Sequence, residues 1–164
     1  AGLGGGSGNA AGVLMGLNRL WNLNIEREKL AILAAELGSD VPFFLTSPCA
    51  LGIGRGEKLE ALKTCPKFHV LLVFPGFPIA TSWVYRNLKL KLTKRVNNIS
   101  ILRKNLSLFD ITRLGSQLYN DLEPVLIQRF PEVQLIKNEL RSLGALGVHL
   151  SGSGSTFFGI FNDS

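Results

Sequence analysis

The chain opens AGLGGGSGNAAG, with five glycines in its first eight residues ahead of an Asn-Ala-Ala run that reads as helix. Glycine admits positive φ and lets a backbone approach a ligand closely. A helix start offers N–H groups without intrahelical acceptors and the positive end of the helix dipole. Together these features make a site for an anion, usually a phosphate.

Two known phosphate patterns compete for this stretch. The P-loop needs a Gly-Lys pair, and the chain contains none. The dinucleotide pattern G-x-G-x-x-[GA] is met by GSGNAA, Gly6 to Ala11. Five glycines satisfy many patterns, however, and the preceding strand that this one requires lies outside the sequence.

A third reading comes from three motifs in order: GLGGGSGNAA, LGSDVPFFL and SGSGSTFF. Together they resemble the GHMP kinases, the small-molecule kinase superfamily of galactokinase, homoserine kinase, mevalonate kinase and phosphomevalonate kinase. FPGFPIATSWVY and NDLEP extend the likeness over nearly the whole chain. They point to the branch that phosphorylates the 2-hydroxyl of 4-diphosphocytidyl-2-C-methyl-D-erythritol in the non-mevalonate isoprenoid precursor pathway. The resemblance implies ATP and Mg²⁺ as cofactors, a small cytidyl substrate and the bacterial cytoplasm as location. It also implies a catalytic lysine on a segment ahead of the glycine loop, so that this chain as given lacks that lysine and reads as an internal fragment.

The resemblance assigns roles residue by residue. Ala1, Gly2, Leu3, Gly4, Gly5, Gly6, Ser7, Gly8 and Asn9 are expected to wrap the ATP phosphates, with Ser7 offering a hydroxyl to phosphate or to Mg²⁺. Gly8 stands where relatives often carry a second serine. Asp40 is the expected catalytic residue, since a carboxylate beside an acceptor hydroxyl can take or orient its proton. It falls between a helix end and an apolar strand, a setting that predicts partial desolvation. Gly152, Ser153 and Gly154 are expected to pack against the first loop near the phosphates. Thr81 and Tyr85 are expected at the substrate, with Tyr85 stacking on the cytosine, as a π-face suits a nucleobase. The alternative for Tyr85 is an ordinary half-buried core aromatic. Asn120, Asp121 and Glu123 are read as helix-end and surface residues, and GIGRGE (Gly52 to Glu57) as a structural turn.

The elements that must position these residues follow from periodicity. Apolar steps of three and four predict a helix from Asn9 to about Asn22, and Asn24 can cap a second, Ile25 to Leu37, ended by Gly38. CALGIGRGEKLEAL reads as a strand with a glycine-rich turn. FHVLLVF reads as a buried strand, closed by Pro75-Gly76. Residues 86 to 106 read as a basic loop with a short helix. Further helices are expected at Leu108 to Tyr119, Pro124 to Arg129 and Pro131 to about Gly144. GVHLSGSGSTFFGIF then reads as strand, glycine turn, strand. The outcome is an α+β (two-layer α/β) fold, helices outnumbering strands, with a boundary at Thr64 to Lys67. The resemblance refines it: 1–66 as the later part of a ribosomal-protein-S5-like, ATP-binding domain, and 67–164 as a ferredoxin-like C-terminal domain.

Bulk composition narrows the classes. At 164 residues and 46% hydrophobic, the chain can bury a sizeable core. No apolar run reaches a membrane span, and the start has no basic, apolar leader. Cys49 and Cys65 fit no metal spacing and read as reduced thiols. His69 and His149 are the only histidines, so no zinc site is expected. The net charge of +6 is uneven: from Ala61 to Phe109 there is no acidic residue, against nine lysines and arginines. Such a window suits a phosphorylated small molecule, an anionic surface or nucleic acid, or a solvated face. No nucleic-acid module is recognisable, and neither nucleic acid nor membrane is expected as a partner. A homoserine- or mevalonate-type kinase and a non-catalytic nucleotide-binding module remain the alternatives.

Overall fold

The apolar spacing after the opening glycines folds as α1, Gly5–Leu20, followed by α2, Arg27–Leu37. Ala11 of α1 buries against Leu30 and Ala34 of α2 and against Val41 and Leu45 beyond it, with Leu14 and Ile25 at the margin. α2 starts two residues later than Asn24 capping predicts. Asn18 explains the shift: its side chain donates to the Ile25 C=O and accepts from the Ile25 N–H, both at 3.0 Å, and so holds Ile25 in the connection. The apolar VPFFL stretch is not a strand. Pro42–Leu45 is one turn of 3₁₀ helix, because Pro42 suits a helix start and Val41 and Leu45 both turn inward. The next stretch forms two strands, β1 (Ala50–Ile53) and β2 (Lys58–Ala61), paired antiparallel around Gly54 to Glu57. Burial and the neighbouring Cys65 thiol push the Cys49 thiol up to about 11.

These elements come from a computed structural model that describes residues 2–46, 48–62, 65–88 and 99–162. It comprises two units, Gly4–Cys65 and Pro66–Ser164 together with Ala1–Leu3.

The second unit is built on a three-stranded antiparallel sheet in the order β3-β5-β4: β3 is His69–Val73, β4 Gly147–Leu150 and β5 Phe157–Phe161. His69 pairs with Phe161 and Leu150 with Phe157. Helices α6 (Glu123–Arg129) and α7 (Val133–Ser142) cover it, with Leu126 and Val133 packed on Leu150 and Phe157. Phe77 stacks on Phe130 at 4.6 Å. The remaining helices are α3 (Thr81–Asn87), α4 (Ile99–Ser107) and α5 (Ile111–Gln117).

Two elements differ from expectation. The apolar run of β3 is a strand, but not a buried one: Val70, Leu71 and Leu72 are 46%, 45% and 49% exposed. β3 is an edge strand among the described residues, and the helices α5 and α7 pack on β4 and β5. The helix expected from Leu108 begins instead at Ile111. Phe109 takes φ +55, and Asp110 caps the helix by accepting from the Arg113 N–H at 2.9 Å. Of the nine basic residues of the acid-free window, Lys63, Lys89, Lys91, Lys94 and Arg95 lie outside the described residues. Helices outnumber strands, seven to five among the described residues, and the α+β expectation holds. No helix among them is long and apolar enough to cross a membrane.

Candidate active site

In the Gly4–Cys65 unit the glycine segment is shorter as a loop than its composition suggests. The helix begins at Gly5 rather than Asn9, so Gly5 to Gly8 form its first turn. Gly4 sits at the cap with φ +65, and the Gly8 N–H closes the turn on the Gly4 C=O at 2.8 Å. A side chain at Gly4 would meet Phe44 Cζ at 2.8 Å, so the Phe44 ring, from the PFFL turn, lies directly against the cap. Sequence reading missed Phe44; only its place beside Asp40 hinted at it. The N–H groups of Gly5, Gly6 and Ser7 have no intrahelical acceptor. A Cβ at Gly5 or Gly6 would meet nothing within 4 Å, which leaves this flank open to a ligand. Asn9 is exposed and Ser7 half-buried. Ala1 lies outside the described residues.

Asp40 occupies the turn between α2 and the 3₁₀ helix, beside the β1–β2 turn: a Cβ on Gly56 would lie 3.9 Å from its Oδ1. The partial desolvation expected of Asp40 is corrected, because the residue is exposed. The strand that was to cover it is the 3₁₀ turn. In the neighbouring hairpin the Arg55 N–H donates to Glu57 Oε2 at 2.9 Å. Backbone hydrogen bonds, its own N–H first, hold the Glu57 carboxyl below the usual range.

In the other unit the segment Ser151 to Gly154 joins β4 to β5. Gly152 and Gly154 take φ +55 and +85. Ser151 Oγ donates to the Gly2 C=O at 2.7 Å, and a Cβ on Gly2 (φ +90) would strike the Ser151 C=O at 2.6 Å. The chain's opening and the third motif therefore meet at Gly2, where only glycine fits. Thr81 Oγ1 and Ser153 Oγ share a hydrogen bond of 2.8 Å. Tyr85 follows Thr81 by one turn of α3 and is 60% exposed, so it is not a core aromatic. It lines a cavity of about 540 Å³ with Tyr119, Asn120, Asp121, His149 and Gly152.

Sequence reading missed what holds this loop. Asn120 donates to the Leu150 and Gly152 carbonyls, both at 2.8 Å, and accepts from the Leu122 N–H at 2.9 Å. Glu123 is buried rather than a surface residue, because its carboxylate is fully occupied. Its Oε2 accepts from the Leu150 N–H at 2.8 Å, and its Oε1 pairs with the buried Lys137 ammonium. The one available signal was the Asn-x-x-Glu spacing of NDLEP. Burial and the charge of Arg141 pull Lys137 below its usual range. His149 Nδ1 lies 3.7 Å from Glu123 Oε2, yet burial, then Lys137 and Arg141, lower its pKa to about 4. Glu123 is already engaged by Lys137 and by a backbone N–H, so the two cations dominate at the imidazole.

Among the described residues no group of three or more His, Cys, Asp or Glu could hold a metal ion. That donor set fits Mg²⁺ only as an ion brought with substrate phosphates, which needs one or two carboxylates from the protein. Residues 1–47 match the family GHMP kinases N terminal domain, and residues 102–164 match GHMP kinases C terminal. The chain belongs to the GHMP kinase family. This GHMP kinase chain is 47% identical over 163 residues to a 4-diphosphocytidyl-2-C-methyl-D-erythritol kinase of a Geobacter species, covering 99% of the chain and 56% of the relative. It spans little more than half the length of the curated relatives it matches. A crystal structure of 4-(cytidine 5'-diphospho)-2C-methyl-D-erythritol kinase superposes with a TM-score of 0.78 at 36% identity, covering 98% of this chain and 57% of the other. Homoserine kinase from Cytophaga hutchinsonii gives 0.72 at 20% identity, covering 89% of this chain and 51% of the other, a likeness of fold alone.

Proposed function

We propose that this chain is part of an ATP-dependent kinase that phosphorylates the 2-hydroxyl of 4-diphosphocytidyl-2-C-methyl-D-erythritol. The observation that carries the phosphate reading is the start of α1. Three N–H groups without intrahelical acceptors, on Gly5, Gly6 and Ser7, stand at the positive end of a 16-residue helix, with open space beside Gly5 and Gly6. The acceptor is argued from relatives of that name, similar over nearly the full chain.

ATP with Mg²⁺ supplies the phosphoryl group and neutralises its charge. The chain's own residues bind, position and take a proton. In the Gly4–Cys65 unit, the α1 start binds nucleotide phosphate, Ser7 offers a hydroxyl, and Asp40 accepts or orients the proton of the acceptor hydroxyl. In the other unit, Gly152 and Ser153 present backbone N–H groups to the nucleotide, and Gly154 closes the turn behind them. Thr81 and the exposed Tyr85 take the cytidyl substrate, Tyr85 by stacking. We assign residues 1–66 and 67–164 to the N- and C-terminal domains of the kinase, and the enzyme to the cytoplasm of a bacterium, the similar proteins coming from bacteria.

The test is ADP release from ATP by the full polypeptide that carries this chain, offered the cytidyl methylerythritol compound, homoserine and mevalonate in turn. Turnover is expected with the cytidyl compound alone. Asp40→Asn should lower kcat at least about 100-fold, the low end for a lost proton acceptor. Turnover with homoserine or mevalonate instead moves the protein to another branch of the family. ATP binding without turnover leaves a nucleotide-binding module.

A further inference from the structure

We propose that Asn120 is a positioning residue. Its amide sets the path of the Ser151–Gly154 loop, and with it the direction of the loop N–H groups that meet the nucleotide. The inference rests on the kinase reading above.

The loop's own backbone donors are only partly paired. Ser151 donates its N–H to the Thr156 C=O at 2.9 Å, and Gly154 donates to the Ser151 C=O at 3.0 Å. Among the described residues, the N–H groups of Gly152 and Ser153 are left without an acceptor. Two successive backbone donors in a turn with a positive φ make a small anion-binding concavity. Its aim depends on the peptide planes around it, and Asn120 fixes those planes. One side-chain NH₂ bonds the carbonyls of Leu150 and Gly152, on either side of Ser151, and turns both toward itself. The peptide groups between them must then present their N–H groups elsewhere.

Asn120 can do this because it is itself held. Its Oδ1 accepts from the Leu122 N–H, in a turn closed by the Glu123 N–H on the Asn120 C=O at 3.1 Å. That saturates the useful bonding capacity of the amide. Three residues on, Glu123 takes the Leu150 N–H. Leu150, the last residue of an edge strand, is therefore clamped at its N–H by one NDLEP side chain and at its C=O by the other. At Leu150, the side of β4 away from β5 is completed by side chains.

The chemistry separates the positioning role from a merely structural one. Aspartate at 120 keeps the acceptor for the Leu122 N–H, and so the turn into α6. It presents only acceptors to the two carbonyls, which it repels. Alanine loses both. The experiment compares wild type, Asn120→Asp and Asn120→Ala in the full polypeptide. It measures melting temperature, amide hydrogen exchange at residues 151–155, and KM for ATP and for the cytidyl acceptor. Asn120→Asp should melt close to wild type. It should speed exchange at 151–155 and raise KM for ATP about tenfold, more than it raises the acceptor KM, because Thr81 on Ser153 and Tyr85 beside Asn120 pass only part of the change to the acceptor. Asn120→Ala should show the same split with a lower melting temperature. Unchanged loop exchange, or faster exchange with unchanged KM for ATP, overturns the proposal. If the wild type turns over no acceptor, the kinase reading fails on its own. ATP affinity then takes the place of KM, and a variant that loosens the loop without weakening ATP still overturns the role of Asn120.

Discussion

The two glycine-rich segments are held in opposite ways. Gly4 to Gly8 take their backbone hydrogen bond from their own neighbours, the first turn of α1 closing between Gly4 and Gly8, and the remote Phe44 ring only packs against the cap. Ser151 to Gly154 take theirs from far away. Asn120 and Thr81 pin the loop across 30 or more residues of sequence, and Ser151 reaches back to Gly2. A helix start supports itself once its helix has a face to bury. A turn between strands aims its backbone only as well as the side chains around it dictate. The first kind of phosphate site tolerates change nearby, whereas the second transmits it.

The largest way to break the remote support is Glu123→Gln. It leaves the buried Lys137 without its carboxylate, and an uncompensated buried charge costs about 3–5 kcal/mol. Urea unfolding of the full polypeptide should show a loss of that size. Adding Lys137→Met should restore most of it, because the stranded ammonium is gone. A double variant as unstable as the single one would mean that the Glu123 bond to Leu150, and not the ion pair, carries the support.

Smaller effects are expected at the self-supporting segment, with opposite signs one residue apart. Gly4→Ala forces a left-handed backbone on an L-residue, at about 1–2 kcal/mol, and sets a methyl against Phe44. Phe44→Ala should relieve only the second part, so the coupling between the two substitutions reads the contact. Gly5→Ala enters open space on a helix and should stabilise by about 0.5–1 kcal/mol. The added methyl should still weaken ATP binding, since it sits over the free N–H groups. Equal effects at positions 4 and 5 would show that the cap is not where φ and Phe44 put it.

That asymmetry also explains what could be read in advance. The opening segment was legible because glycine content, the Asn-Ala-Ala run and three-four spacing are local signals, and the structure there is local. Its boundary was not, because composition marks Gly5 to Gly8 as loop while the helix hydrogen bonds simply include them. The SGSGS turn and its flanking strands were legible for the same reason. Asn120 and Glu123 were not. Polar residues near a helix start are exposed in most proteins, and only the fold brings them to the edge of β4. The β3 run misled in the other direction: four apolar residues in a row imply burial, but an edge position leaves Val70, Leu71 and Leu72 half-exposed. Asp40 was singled out by motif alone, and its exposure was misjudged because Pro42 turned an expected strand into a 3₁₀ helix.

The subtlest test of the remote support uses pH. His149 faces the Glu123 carboxylate and the Gly115 backbone of α5, within the field of Lys137 and Arg141 of α7. Burial and the two cations lower its pKa to about 4 from an ordinary 6.5. Between those values the unfolded chain binds a proton that the native chain refuses. Stability must then fall as pH falls from about 6.5 toward 4, and the contribution is intact above that window. Melting temperatures of wild type and His149→Gln at pH 7, 6 and 5 should therefore converge as the pH drops, since the variant has no imidazole to charge. Parallel curves would mean that folding leaves the His149 pKa unchanged, and curves that spread apart as the pH drops would mean that His149 is protonated in the native state, drawn by Glu123. In that case the carboxylate would not be spoken for by Lys137 and Leu150, and the clamp on β4 would be looser than the hydrogen bonds imply.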